Sequence, residues 1–137
     1  MDAAEALKDL TEISSQIQAA VLVTADGKAL ASTLDDATAT ERLSAAVRSL
    51  VEAAAELPGD SGRRPLVQLE AATSEGSLFV VRDSERIVAA VTRPEPTAGL
   101  VFFDLKSCLR AAATEEGDGK PRPRARRTKA PAVEAGE

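Results

Sequence analysis

Ile17-Gln18-Ala19-Ala20-Val21-Leu22-Val23-Thr24, then Ala25-Asp26-Gly27-Lys28, then Ala29-Leu30-Ala31-Ser32 is the stretch whose reading decides the fold. The first run is rich in β-branched side chains, Asp-Gly supplies a tight turn, and the last run is again extended, so the stretch predicts a β-hairpin. Upstream, Ala6, Leu7, Leu10 and Ile13 repeat at helical spacing within residues 3–14, which predicts a short first helix with one buried face. Downstream, Thr38 or Thr40 is placed to cap a second helix, because Glu41 three residues after Thr38 completes a capping box. Leu43, Ala46, Val47, Leu50, Val51, Ala54 and Leu57 then form a long apolar stripe that Pro58-Gly59 ends.

Gly59 to Pro65 reads as loop. Three strand-like runs follow, Leu66 to Ala72, Leu78 to Arg82 and Arg86 to Thr92, separated by Glu75-Gly76 and Asp83-Ser84-Glu85, and they predict an antiparallel meander. Pro94 and Pro96 close it. Thr97 can cap a third helix whose inner face carries Val101, Leu105, Cys108, Leu109 and Ala112. From Thr114 the apolar periodicity stops and Thr, Glu, Gly, Pro, Lys and Arg take over, a composition that cannot repay the entropy of ordering. The expected organisation is one domain over residues 1–113 and a disordered Pro/Arg-rich tail over residues 114–137, within a chain of 137 residues.

Apolar residues make up 44% of the chain, but many are alanine and aromatic residues are only 2%. A core of alanine buries little area at about 25 cal/mol per Å², so burying a second surface by self-association is expected to help. Residues 1–113 carry 17 acidic and 11 basic groups, net −6, and the remainder 5 and 6, net +1. That sign gives the domain no electrostatic reason to hold nucleic acid. The acidic, amphipathic first ten residues lack the basic and apolar regions of a signal peptide, and no run approaches the roughly 18 apolar residues of a membrane span, so a cytoplasmic location is expected. The single Cys108 fits a reducing compartment.

Chemistry-bearing residues are few. The chain has no His, which removes the commonest general base and, with one Cys, any zinc site. Cys108 falls on an apolar helix face and reads as core. Asp35-Asp36 lacks further hard ligands and reads as solvated acids near a helix start. Gly59-Asp60-Ser61-Gly62-Arg63-Arg64 and Gly117-Asp118-Gly119-Lys120 match no phosphate-binding pattern. Arg42 and Arg48 are placed to supply charge to a partner's phosphoryl-transfer site in trans, but Glu52 four residues after Arg48 and Glu41 beside Arg42 make ordinary helix-surface pairs, and that reading is preferred. Lys120, Arg122, Arg124, Arg126, Arg127 and Lys129, interrupted by prolines and lacking aromatic partners, read as a solvated run. No catalytic residue, cofactor or metal is expected, and the chain is not expected to be an enzyme.

The element order, helix, two strands, helix, three strands, helix, resembles the roadblock and dynein light-chain family. The residues carrying the resemblance are Ala20 to Ser32, Leu43-Ser44-Ala45-Ala46, Gly76-Ser77-Leu78-Phe79-Val80-Val81 and Ala98-Gly99-Leu100-Val101. The resemblance implies an α+β, profilin-like fold: a five-stranded antiparallel sheet with helices on both faces. It implies a homodimer in which the third strand joins its mate, here through Leu66, Val67, Gln68, Leu69 and Glu70, with the second helices side by side across the joined sheet. It also implies a small Ras-like GTPase as partner. In bacterial relatives the dimer repositions the GTPase's own catalytic groups. Exposed positions of the second helix, Glu41, Arg48, Glu52 and Glu56, are then candidate contacts by face assignment. The alternative is a sensor or assembly scaffold whose sheet binds a peptide or small ligand without a GTPase.

Overall fold

The computed structural model describes residues 2–57, 68–83 and 85–118, with side chains described as far as Ala113. Helix α1 spans Ala3–Ile13, strand β1 Ile17–Thr24, β2 Ala29–Ser32, α2 Ala37–Ala55, β3 Gln68–Thr73, β4 Gly76–Arg82, β5 Arg86–Thr92 and α3 Ala98–Asp118. The five strands form one antiparallel sheet in the order β2-β1-β5-β4-β3. The β1–β2 hairpin and the β3–β4–β5 meander are therefore joined through β1 and β5, with Val21 opposite Ala89 and Leu22 opposite Val88. Helices α1 and α3 pack on one face and α2 on the other.

Cover on both faces explains why the central strands do not alternate. Ala20, Val21, Leu22 and Val23 of β1 are all fully buried, as are Ile87, Val88, Ala89 and Ala90 of β5. Ala20, Leu22, Phe79, Val81, Val88 and Ala90 meet Leu7, Leu10, Val101, Leu105 and Leu109 beneath α1 and α3. The ring of Phe79 meets Phe102 of α3 edge to face, centroids 5.0 Å apart at 76°, an arrangement that contributes about 1 kcal/mol beyond burial. Val21, Val23, Val80, Ile87 and Ala89 meet Val47 and Val51 of α2 in a smaller core on the other side.

The starts of α1 and α2 are set by aspartates. Asp2 caps α1 by accepting from the Glu5 amide at 2.8 Å, while the Glu5 carboxylate accepts from the Asp2 amide at 3.4 Å. Helix α2 begins at Asp36, whose side chain accepts from the Thr38 amide at 3.2 Å, and not at Thr38 or Thr40. Thr40 instead donates its hydroxyl to Ser32 Oγ at 2.9 Å, tying α2 to β2. The apolar stripe of α2 also differs from its spacing: Ala46 is exposed and Leu57, just past the helix, is 69% exposed. Ile13, expected on the inner face of α1, is 66% exposed. The expected α3 face, Val101, Leu105, Cys108, Leu109 and Ala112, is buried throughout. The helical backbone of α3 continues past Ala113 to Asp118, and the tail beyond it lies outside the described residues.

Candidate protein-interaction surface

The register across the sheet places residues on the α2 face in rows. Ala19 lies opposite Val91, Val91 opposite Leu78, and Leu78 opposite Ala71, an apolar row across four strands. All four side chains are only half-buried, because α2 passes over β1 and β2 and leaves the row open. The neighbouring row, Val21, Ala89, Val80 and Leu69, is buried until it reaches β3, where Leu69 is half-exposed. The α2 face of the meander is therefore a shallow apolar floor with one helix along one side and nothing described along the other.

Strand β3 forms the outer edge of this floor. It pairs with β4 without a register break, from Gln68 opposite Val81 to Thr73 opposite Gly76, and its outer side has no partner among the described residues. Gln68 and Glu70 are exposed, and Leu69 and Ala71 turn toward the α2 face. Of the residues expected at a strand-to-strand interface, Gln68, Leu69 and Glu70 are therefore on a sheet edge, and Leu66 and Val67 lie outside the described residues.

The outer face of α2 carries the other candidates. Glu41, Arg48, Glu52 and Glu56 are all exposed and recur at intervals of seven, four and four, which holds them on one side of the helix. Arg48 is not free to roam. Its Nη1 donates to the carbonyl of Asp26 in the β1–β2 turn at 3.2 Å, its Nε lies 3.9 Å from Glu52, and a Cβ on Gly27 would fall 2.7 Å from its Cδ. That turn is itself knotted by Thr24, whose hydroxyl donates to the Asp26 carboxylate and holds its pKa below the usual range. Beside this charged side, Ala46, Ser49 and Ala53 present a seam of small exposed residues. The sequence reading counted Ala46 as core and so missed the seam; the row Ala19-Val91-Leu78-Ala71 needed the strand register to be seen.

Among the described residues no group of three His, Cys, Asp or Glu side chains converges as a metal site would require. Cys108 is buried and donates its thiol to the Ala6 carbonyl at 3.6 Å, and burial with the nearby Asp9 charge pushes its pKa up to about 11. No helix among the described residues is long and apolar enough to cross a membrane.

The model of the Roadblock/LC7 domain matches residues 3–93, from α1 to the end of β5. The chain belongs to the Roadblock/LC7 domain family. Solved structures share its fold. The Roadblock/LC7 domain from Streptomyces avermitilis is 17% identical, with a TM-score of 0.75, over 85% of this chain and 99% of that one. Myxococcus xanthus MglB is 15% identical, with a TM-score of 0.73, over 89% and 92%. An MglB structure with a tetrameric arrangement is 18% identical, with a TM-score of 0.69, over 86% and 90%. The roadblock architecture is profilin-like, and profilin II of Acanthamoeba castellanii has it too. No curated protein matches the sequence significantly.

Proposed function

We propose that this Roadblock/LC7 chain is a homodimeric, non-catalytic regulator or scaffold that binds a small Ras-like GTPase and adjusts its nucleotide state or location. The observation that carries the reading is the half-covered α2 face: an open β3 edge borders an apolar floor that one helix cannot cover. Pairing β3 with its mate would extend the sheet across two copies, and the small residues Ala46, Ser49 and Ala53 would let the partner's α2 approach closely. Leu66, Val67, Gln68, Leu69 and Glu70 are the strand residues proposed at that junction. The two α2 helices would then stand side by side with Glu41, Arg48, Glu52 and Glu56 outward, a preformed charged platform for the GTPase.

Arg48 has a positioning part in this scheme. Its bond to the Asp26 carbonyl fixes the β1–β2 turn to α2, so the hairpin and the helix would meet the partner as one body. The residues on the platform hold no nucleotide themselves; GTP chemistry would belong to the partner, with this dimer acting on its loops.

Affinity capture tests the reading. The immobilised full chain, shown to be folded, is incubated with native lysate in excess GDP or a non-hydrolysable GTP analogue, and bound proteins are identified by mass spectrometry. Enrichment of a small GTPase in one nucleotide condition supports a regulator, and that enrichment should fall with Glu52→Lys. Absence of any GTPase in both conditions would favour a scaffold that binds a peptide or small ligand.

A further inference from the structure

The groove between α1 and α3 lies on the opposite face of the sheet from the surface just described and takes no part in that scheme. Leu10 and Ile13 from α1 and Phe103 and Cys108 from α3 form its walls, with Asp9 and Asp104 on its rim. Its volume is about 170 Å³, room for one or two side chains and less than a metabolite site needs. Ile13 is 66% exposed and Phe103 61% exposed, so two large apolar side chains stand in water at its mouth.

Charge favours one kind of occupant. Glu5, Asp9 and Glu12 follow at intervals of four and three along α1, and Asp104 faces them from α3. The described cations of these two helices are Lys8, Lys106 and Arg110, and Arg110 donates from Nη2 to Ser107 Oγ at 3.2 Å. A second copy laying the same face here would set carboxylates against carboxylates. The chain's own continuation has the opposite sign: Gly119 to Lys129 contains Lys120, Arg122, Arg124, Arg126, Arg127 and Lys129 and no acidic residue.

Reach is sufficient. Helices α1 and α3 run antiparallel, since Ala6 meets Cys108 and Ile13 meets Phe103. From the end of α3 at Asp118 back to the level of Ser107 is about 16 Å at ~1.5 Å per helical residue, and six extended residues cover about 20 Å. Attachment to the same chain raises the local concentration of the segment to the order of millimolar.

We propose that residues 120–127 of this chain run along the groove between α1 and α3, with Arg124, Arg126 and Arg127 on Asp9 and Asp104 and with Ala125 and the arginines' aliphatic stems against Ile13 and Phe103. The segment then covers an apolar seam that the helices leave open, and any acidic partner of the tail must compete with the domain's own carboxylates for it.

The test uses the full chain. A carbodiimide joins a lysine to a carboxylate in direct contact, and an equal mixture of isotopically light and heavy protein reports whether the joined groups share a chain. The expected product links Lys129 to Asp9 or Asp104 with both peptides of one isotope. As a second readout, alkylation of Cys108 is expected to be several-fold faster when Lys120, Arg122, Arg124, Arg126 and Arg127 are all replaced by Gln, in protein whose melting is unchanged. Absence of the link, with equal alkylation rates, would overturn the proposal. A link found only between light and heavy peptides would overturn it too, by giving the groove to a neighbouring copy's tail.

Discussion

The two edges of the sheet are built differently, and the difference says where another chain can add. Strand β2 has only four residues, Ala29–Ser32, and its pairing with β1 breaks register between Leu22 and Val23. Beyond it, the Thr33 amide donates to the Ala20 carbonyl, and the Ala20 amide donates to Thr33 Oγ1, both at 2.9 Å. A short, irregular edge is a poor template for a further strand. Strand β3 has six residues, unbroken register, no Lys and no Pro. It keeps none of the usual devices against pairing apart from the charge of Glu70, and the apolar row Ala19-Val91-Leu78-Ala71 runs up to it.

The largest effect expected from this contrast is on association. Leu69→Arg places a charge where β3 meets the half-covered α2 face, and the proposed dimer should weaken at least a hundredfold, about 3 kcal/mol. Leu30→Arg on the other edge, where the side chain is already exposed, should leave the dimer unchanged. Light scattering across a dilution series separates the two, and equal effects would erase the distinction between the edges.

The turns that feed the two edges offer a second comparison. Gly76 closes the β3–β4 turn at φ +154°, and a Cβ there would lie 2.3 Å from the Thr92 carbonyl oxygen of β5. Backbone cannot move aside cheaply, so Gly76→Ala should cost roughly 3 kcal/mol in urea unfolding and weaken the dimer with it. Gly27 closes the β1–β2 turn at φ +93°, and its Cβ would meet only the Arg48 side chain. Gly27→Ala should cost about 1–2 kcal/mol, chiefly the left-handed backbone, and leave the dimer intact.

The smallest effect is a control common to both edges. Cys108 has its pKa raised from 9.0 to about 11, so the folded chain keeps its thiol proton longer than the unfolded one. The contribution is complete below pH 9 and is lost as pH rises toward 11, with about 1 kcal/mol gone by pH 10. Urea titrations at pH 8 and 10 should show that loss, and Cys108→Ala should abolish the difference. Because the thiol lies on the α1/α3 side, the Leu69→Arg protein should show the same loss.

How much of this was legible in the sequence follows from how local each feature is. The β1–β2 hairpin and β5 were readable because Val21, Val23, Ile87 and Val88 are β-branched and Asp26-Gly27 marks a turn, signals contained within a few residues. The α3 face was readable from spacing alone. The α2 face was not wholly so: alanine is compatible with core and seam alike, so Ala46 counted as core although it is exposed. Thr38 with Glu41 satisfied a capping pattern, but Asp36, two residues earlier, is the stronger acceptor and took the position. The pairing of β1 with β5 is a contact about seventy residues apart in sequence, which no local pattern encodes. The open row on the α2 face inherits that limit, since four strands must be in register before Ala19, Val91, Leu78 and Ala71 become neighbours. Composition, by contrast, supports only the expectation that so small a core would gain from a second copy.

The most direct test of the central claim is sedimentation velocity on the full chain and on Leu69→Arg, at matched concentration and with circular dichroism as the check on folding. The account predicts a wild-type species at twice the chain mass of 14.3 kDa and a folded Leu69→Arg species at the single mass. A wild-type chain that sediments as a monomer, or a Leu69→Arg chain that remains a dimer, would contradict pairing through β3.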